Sequence, residues 1–285
     1  MLRFWTIKSV PEDLEVYKMK ARVIVGALLA IGLVLVFYVL PPVVLPILMM
    51  AVCLQATKEL MQAAQVGGQK RMLGVCMVFS ALVPLYFYLN IPEVYGQLAM
   101  FALVFYLFVE VLHDHDHVKF IHVAIGLFAA ALLPYMLTSL VRIFFMDQGK
   151  FLVLMPFLAA WGSDTCALFA GMLFGKHKLA PVISPKKTIE GAAGGVVGST
   201  VLMVIYAAAM NHFFGVEMSM VSAVLIGIFG SILGQIGDLS FSIIKRNYGI
   251  KDYSQLLPGH GGILDRFDSV IFVAPVVEVL VRLFG

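Results

Sequence analysis

The chain consists mainly of long apolar segments separated by short polar ones. A helix needs roughly 20 consecutive, mostly apolar residues to cross about 30 Å of hydrocarbon. The segments that meet this length are residues 22–40, 43–61, 72–90, 96–112, 118–143, 151–174, 191–211, 219–241 and 267–284. The pattern therefore predicts an all-α fold, a polytopic membrane helix bundle with about nine transmembrane helices.

The composition agrees with this class. Hydrophobic residues make up 61% of the chain, charged residues only 13%, and the mean hydropathy is +0.96. Soluble domains contain about 25% charged residues, so we expect one membrane domain without a separate soluble one, and no nucleic-acid partner. Cys53, Cys76 and Cys166 lie far apart in apolar segments, which favours buried thiols over disulfides or a thiolate metal site.

The positions of lysine and arginine predict the orientation, because cations stay on the cytoplasmic side during insertion. If the N-terminus is cytoplasmic, 17 of the 20 cations fall on that side, and only Arg142, Lys150 and Arg282 fall outside. The apolar run from residue 23 has no cleavage pattern after it, so we expect a retained first span rather than a signal peptide. We expect a multi-pass protein of the cell (inner) membrane.

We divide the chain into three parts on this basis. Residues 1–21 form a cytoplasmic N-terminal segment, residues 22–150 form about five transmembrane helices, and residues 151–285 form the catalytic transmembrane region. The third part contains two cation-rich loops, residues 175–190 and 242–266, which the predicted orientation places on the same cytoplasmic face. The first half carries little chemistry apart from alternating histidines and aspartates at residues 113–117. That run suits a solvated loop better than a transition-metal site.

Carboxylates interrupt two of the later apolar segments. Asp164 and Asp238 both lie within predicted spans, where an unpaired charge costs about 2.5–3.5 kcal/mol on insertion scales. Each must therefore face a cavity, a cation or a metal. We expect the two to line a polar pocket that opens to the cytoplasm, although buried structural ion pairs are the alternative.

The loop at residues 175–190 is rich in lysine and leads into a glycine-rich helix start. Its lysines include Lys186 and Lys187, and two prolines restrict its turns. Ammonium groups at a helix N-terminus favour polyanions, because the free N–H groups and the helix dipole add to their charge. The loop therefore suits a triphosphate or a lipid phosphate, whereas loop lysines that only anchor topology need no ligand. The glycines near residues 171–175, 191–198 and 230–234 fit helix packing.

The segment from Ser242 to Asp268 combines cations, carboxylates and glycines. Asp265 and Asp268 are three residues apart, which places both on one face of a helix. Together with Asp238 they offer the hard oxygen ligands that Mg²⁺ prefers. Glycines around His260, including Gly261 and Gly262, allow a close approach of backbone to ligand. The cations suited to neutralising phosphates are Lys245, Arg246, Lys251 and Arg266.

These residues resemble a known family. The string S-I-I-K-R-x₄-K-D-x-S-x-x-L-P-x-H-G-G-I-x-D-R-F-D, residues 242–268, is similar to the pattern of phosphatidate cytidylyltransferases (CDP-diacylglycerol synthases). Residues 163–191 and 234–239 also resemble segments of that family. The likeness covers roughly residues 160–275, and the first 150 residues match only as a run of membrane spans.

The resemblance implies that CTP and phosphatidic acid react to give CDP-diacylglycerol and pyrophosphate at the cytoplasmic face of the lipid bilayer, with Mg²⁺. Asp238 and Asp265 are then the leading metal ligands, with Asp268, Asp164 and Ser184 as nearby candidates. The implied substrate-binding residues are Ser184, Lys186, Lys187, Thr188, Lys245, Arg246, Lys251, His260, Gly261 and Gly262. Lys187 and Arg266 join the two aspartates in the catalytic set. A second cation stays open, and glycine-lined helix faces are compatible with a homodimer.

Three other functions compete with this one. An ion-coupled transporter or channel also places acids inside the membrane, but it does not need the dense loop at residues 242–268. A CTP-dependent lipid or polyprenol kinase shares the nucleotide and metal chemistry but releases CDP instead of pyrophosphate. A noncatalytic scaffold does not need the polar motif residues.

Overall fold

The computed structural model describes residues 31–256 and 261–284, together with residues 26 and 28. Seven helices in this part of the chain are long and apolar enough to cross a membrane. They are α1 (Val44–Ala63), α2 (Lys70–Tyr88), α3 (Glu93–His113), α4 (Phe120–Phe144), α5 (Gly149–Phe174), α6 (Ile189–Phe214) and α7 (Met220–Asn247). An eighth long helix, α8 (Leu264–Phe284), carries the charged C-terminal residues. The predicted all-α, polytopic fold is confirmed.

The observed helices follow the predicted spans closely. The largest difference is at α7, which continues to Asn247, whereas the prediction ended at residue 241. Hydropathy marks only the apolar part of a helix, and the last turn of α7 carries Lys245 and Arg246, which the helix dipole favours at a C-terminus. Of the first predicted span, residues 31–39 are helical. Residues 1–21 lie outside the described residues, and the count of nine stays a prediction.

Helices α5 and α6 pack closely through small residues. A Cβ atom on Gly194 would overlap Ala170, and one on Gly198 would overlap the Cys166 side chain. Gly191 lies against Gly171, so that the two backbones are in direct contact. The packing function predicted for these glycines is confirmed. The close approach brings the polar residues at the ends of α5 and α6 together.

A short β-hairpin joins α5 to α6. Strand β1 (Lys178–Ala180) pairs antiparallel with β2 (Ser184–Thr188), with Lys178 opposite Thr188. Thr188 ends β2 and begins α6, where its hydroxyl accepts a hydrogen bond from the N–H of Gly191 at 3.1 Å. The prediction of a connecting loop at residues 175–190 did not include this strand pairing. The hairpin gives Lys186 and Lys187 an ordered backbone at the start of α6.

Three charged residues meet at the end of the bundle away from the loops at residues 175–190 and 242–266. Arg142 Nε lies 2.8 Å from the Glu278 carboxylate, and Arg282 approaches the same group to 3.0 Å. Glu278 is 13 residues from Asp265 along α8, a rise of about 20 Å at 1.5 Å per residue. Two of the cations predicted to lie outside thus share one end of the molecule, away from the loops at residues 175–190 and 242–266. Which end faces the cytoplasm stays a prediction.

Candidate functional site

A cavity of about 470 Å³ lies where the hairpin meets α5, α6 and α7. Its polar lining comes from Asp164, Lys186, Lys187, Thr188, Gln235 and Asp238. Close packing of α5 against α6 places Asp164 beside the hairpin, and α7 brings Asp238 from a separate part of the chain. The two intramembrane carboxylates that the sequence analysis expected around one pocket do line the same cavity.

Lys187 lies between the carboxylates of this cavity. Its Nζ is 2.5 Å from Asp238 Oδ2, and about a quarter of each side chain is exposed (26% and 25%). Asp164 interacts electrostatically with both Lys187 and Asp238. The lysine offsets part of the repulsion between the two carboxylates, yet its charge remains within reach of the cavity.

A third carboxylate approaches this group from α8. Asp268 interacts electrostatically with Asp238, and more weakly with the Lys245 ammonium and with Asp164. Its Oδ1 accepts a hydrogen bond from the N–H of Ser269 at 2.7 Å. Asp268 is not in the cavity lining, but these interactions place it near Asp238 and Asp164. Three of the four predicted carboxylate ligands thus lie near one another, each from a different helix.

Asp265, the fourth predicted carboxylate ligand, has a different environment. Its Oδ1 accepts a hydrogen bond from Lys245 Nζ at 2.8 Å. Its Oδ2 accepts from the N–H groups of Tyr253 at 2.8 Å and Gly262 at 2.9 Å. The side chain is only 2% exposed and is not part of the cavity lining. In this arrangement Asp265 orders the loop before α8, and Lys245 neutralises its charge.

Tyr253 shows how closely this loop is packed. Burial raises the pKa of its phenol well above the usual range, and the carboxylates of Asp265, Asp268 and Glu59 add to the effect. The hydroxyl donates a hydrogen bond to the carbonyl oxygen of Phe241 at 3.1 Å. Tyr253 therefore stays protonated and fastens the loop to α7.

The remaining predicted cations differ in their contacts. Lys186 is exposed at the cavity. Arg246 and Lys251 are exposed as well, and Arg246 donates a hydrogen bond to the carbonyl oxygen of Ile250 at 3.3 Å. Arg266 is half-buried, and its Nε is buried without a hydrogen-bond partner among the described residues. The structure thus places Lys186 at the cavity with Lys187, while the other three lie on the neighbouring loop and on α8.

Four further predicted residues belong to the backbone framework or fall outside the described region. Ser184 is half-buried at the start of β2, opposite Ala180, and does not line the cavity. Gly261 and Gly262 pack against protein carboxylates. His260 lies outside the described residues.

The carboxylates at the cavity suit a hard divalent ion. Among residues 31–256 and 261–284, no group of three or more His, Cys, Asp or Glu side chains forms a ready-made metal cage. Mg²⁺ is usually held by one or two carboxylates together with water and substrate phosphates. Asp164 and Asp238 in the lining of an open cavity, with Asp268 nearby, fit that mode of binding.

Sequence reasoning assigned no function to Gln235, although it lies one turn before Asp238. Its amide nitrogen donates hydrogen bonds to Ser231 Oγ at 3.1 Å and to the carbonyl oxygen of Ala192 at 3.2 Å. Ser231 Oγ is also 2.6 Å from Ser163 Oγ. These hydrogen bonds join α5, α6 and α7 at the cavity, whose lining includes Gln235. The spacing of three residues from Asp238 was a usable signal, because it puts both side chains on one face.

Glu59 was also missed. It lies on α1, is 1% exposed, and contacts the loop before α8. The argument applied to Asp164 and Asp238, that an acid within an apolar segment needs a partner, applies equally to Glu59.

The run of histidines and aspartates at residues 113–117 lies away from this cavity. Asp114 Oδ1 is 2.7 Å from His117 Nδ1, and both groups are solvent-accessible. The interaction lowers the pKa of Asp114 and raises the pKa of His117, because the hydrogen bond favours the charged form of each. This is the geometry of a local ion pair.

The chain shares sequence with curated relatives. Proteins named phosphatidate cytidylyltransferase from Staphylococcus haemolyticus and Staphylococcus epidermidis are each 46% identical to it, and one from Staphylococcus aureus is 45% identical. Each match covers 134 residues, which is 47% of this chain and 50% of the relative. The chain thus aligns with about half the length of these relatives. A model of the Cytidylyltransferase family matches residues 20–284, and the chain therefore belongs to that family.

Proposed function

We propose that this protein transfers the cytidylyl group of CTP to phosphatidic acid, forming CDP-diacylglycerol and pyrophosphate, with Mg²⁺ bound at the cytoplasmic face of the cell membrane. Membership of the Cytidylyltransferase family supports the reaction class. The names of the aligned relatives support phosphatidate as the acceptor.

The amphiphilic lining of the cavity is the observation that carries the proposal. Asp164, Lys187 and Asp238 provide charge on one side. Leu168 and Met172 line the same cavity, and they are 61% and 64% exposed on a membrane-spanning helix. A phospholipid can therefore place its phosphate among charged groups while its acyl chains remain in lipid.

The lysines of the hairpin are suited to phosphate binding. Lys186 is exposed at the cavity, and Lys187 already neutralises Asp238. Two anionic substrates repel each other, so cations at fixed positions are needed to bring them together. Because Lys187 lines the cavity and also contacts Asp238, its ammonium can exchange the carboxylate for a substrate phosphate.

The proposed reaction is a direct in-line displacement. A phosphatidate oxygen forms a bond to the α-phosphorus of CTP, and the bond from that phosphorus to the oxygen bridging to the β-phosphate breaks, so that pyrophosphate leaves with the bonding electrons. A phosphate monoester is already anionic near neutral pH, so the protein need not supply a strong base. Its residues align the two substrates and neutralise their charge.

Asp164, Asp238 and Asp268 would hold the divalent ion. Asp265 can join them through Oδ1 only after Lys245 Nζ moves away. When bound, the ion would neutralise charge on the substrate phosphates and the leaving pyrophosphate.

The test is a product assay with the purified protein in detergent or nanodiscs. CTP labelled at the α-phosphate is supplied with phosphatidate, with diacylglycerol or with no lipid, each with Mg²⁺ or with excess chelator. The proposal expects labelled lipid and an equal amount of pyrophosphate only with phosphatidate and Mg²⁺. Release of CDP with phosphorylation of a lipid would instead identify a kinase, and absence of label in any lipid would exclude cytidylyl transfer.

A further inference from the structure

Glu59 contacts residues that are about 200 positions away in the sequence. Its Oε1 accepts hydrogen bonds from Ser254 Oγ at 2.7 Å and from the N–H of Ile263 at 3.1 Å. Its Oε2 accepts from the N–H of Leu264 at 2.8 Å. Gln55, one turn earlier on α1, also donates to Oε1 at 2.9 Å. A buried carboxylate is stable there because each oxygen has hydrogen-bond donors.

The Glu59 carboxylate lies at the N-terminus of α8. The first N–H groups of a helix have no partner within it, and negative charge is stabilising at this end. Glu59 satisfies the N–H groups of Ile263 and Leu264 from another helix. The next residues are Asp265, Arg266 and Asp268, so Glu59 determines where this charged turn begins.

A second carboxylate holds the same turn from within α8. Asp265 Oδ2 accepts from the N–H of Gly262, while a Cβ atom on Gly262 would overlap the Glu59 carboxylate. Gly261 has a positive φ of 82°, and a Cβ atom there would lie 2.7 Å from Asp265 Oδ2. The two glycines predicted to approach a substrate are thus required by the close packing of backbone against Glu59 and Asp265.

We propose that Glu59 is a positioning residue for cytidylyl transfer. It fixes the start of α8 relative to α1, and so places Asp268 beside Asp164 and Asp238 without touching substrate itself. This inference rests on the proposed function for its kinetic consequences, whereas its structural part does not. The first half of the chain, which looked like a generic run of spans, thereby contributes to the geometry of the site.

The first experiment compares Glu59→Gln with wild type. The amide preserves shape but replaces one acceptor oxygen with a donor, so at least one hydrogen bond to Ser254, Ile263 or Leu264 is lost. Because Glu59 does not line the cavity, we expect kcat to fall about tenfold or more while KM for CTP changes less than about threefold. Glu110→Gln is the matched control, since Glu110 accepts a hydrogen bond from Tyr106 on its own helix at 2.7 Å.

A measurement independent of activity accompanies the kinetics. Amide hydrogen exchange of the peptide containing residues 261–268 should become faster in Glu59→Gln and stay unchanged in Glu110→Gln. If the wild type has no cytidylyltransferase activity, the proposed function fails, while exchange still tests the contact between α1 and α8. Unchanged exchange together with unchanged kcat would overturn the inference.

A double-substitution experiment separates positioning from general stability. Gly262→Ala should lower kcat strongly, because its methyl group overlaps the Glu59 carboxylate. In a Glu59→Ala background the same methyl group has space, so Gly262→Ala should add little further loss. Strictly additive losses would contradict a direct contact. If Glu59→Gln does not fold, Ser254→Ala and Gly262→Ala test the same contact, and unchanged exchange and kcat in both would overturn it.

Discussion

The buried pair of Lys245 and Asp265 allows a decisive test of what Asp265 does. Asp265→Asn keeps the side-chain shape but removes the charge and replaces one acceptor oxygen with an amide donor. In the wild type, one carboxylate oxygen accepts from Lys245 Nζ, and the other accepts from the N–H groups of Tyr253 and Gly262. Whichever way the amide turns, either the lysine or the two backbone groups lose their acceptor.

The expected loss of stability in Asp265→Asn follows from the burial of the pair. The side chains of Lys245 and Asp265 are 11% and 2% exposed, so the substitution leaves an ammonium group without its counter-ion in the interior. Breaking a buried ion pair from one side costs about 3–5 kcal/mol. At about 2–4 °C per kcal/mol for a chain of this size, the melting temperature should fall by about 6–20 °C. If Asp265 served only as a metal ligand, its removal from metal-free protein would leave the melting temperature unchanged or raise it.

Buried thiols provide the assay. Cys53 and Cys76 are fully buried, so a thiol-reactive fluorophore labels them only when the protein unfolds. The measurement is made in detergent without divalent cations. Every protein carries Cys166→Ser, which removes the background from the partly exposed third thiol. The double variant Lys245→Met/Asp265→Asn removes both charges and should regain part of the lost stability. The reasoning is refuted if Asp265→Asn melts within about 2 °C of wild type, or if the double variant is no more stable than the single one.

Three further predictions follow from the same contacts. Lys187→Ala should raise KM for CTP or phosphatidate about tenfold through loss of a charge-assisted phosphate contact. Lys178 is an exposed lysine of the same hairpin, and Lys178→Ala should leave the steady-state kinetics unchanged. Equal kinetics for the two variants would remove Lys187 from the site. Gly194→Leu should overpack the contact with α5 and destabilise the protein by about 1–3 kcal/mol, and a normal melting temperature in the thiol assay would contradict this. Asp114→Asn should lower the pKa of His117 toward its ordinary value, as measured by NMR of labelled histidine. In wild type, the stabilisation from this pair is present below the ordinary histidine pKa and is lost as pH rises through the raised value. The same His117 pKa in wild type and in Asp114→Asn would argue against the ion pair.

Much of the fold could be predicted because membrane burial acts on each segment separately. A helix in hydrocarbon satisfies its own backbone hydrogen bonds, so length and hydropathy were enough to locate α1 to α6. The hairpin of β1 and β2 was missed because strand pairing depends on contacts between residues that have no strong periodic pattern here. The end of α7 was misplaced because its last turns are polar.

The candidate site was only partly predictable. Asp164 and Asp238 could be found because an acid inside an apolar segment is conspicuous, and the cavity that they share agrees with that reasoning. Glu59 was overlooked although it satisfies the same criterion. The orientation of Asp265 could not be deduced, because its spacing from Asp268 describes one helix and not the lysine that approaches from another.

The sequence by itself determined the membrane class, the approximate helix boundaries and the chemical character of the two basic loops, since these properties depend on local composition. Only the tertiary structure decided which carboxylates meet at the cavity and which one is neutralised by Lys245. It also decided that Glu59, from the other half of the chain, accepts hydrogen bonds from the N–H groups at the start of α8. The physical reason is that hydropathy is a sum over neighbouring residues. A hydrogen bond between residues some 200 positions apart depends instead on how the helices pack.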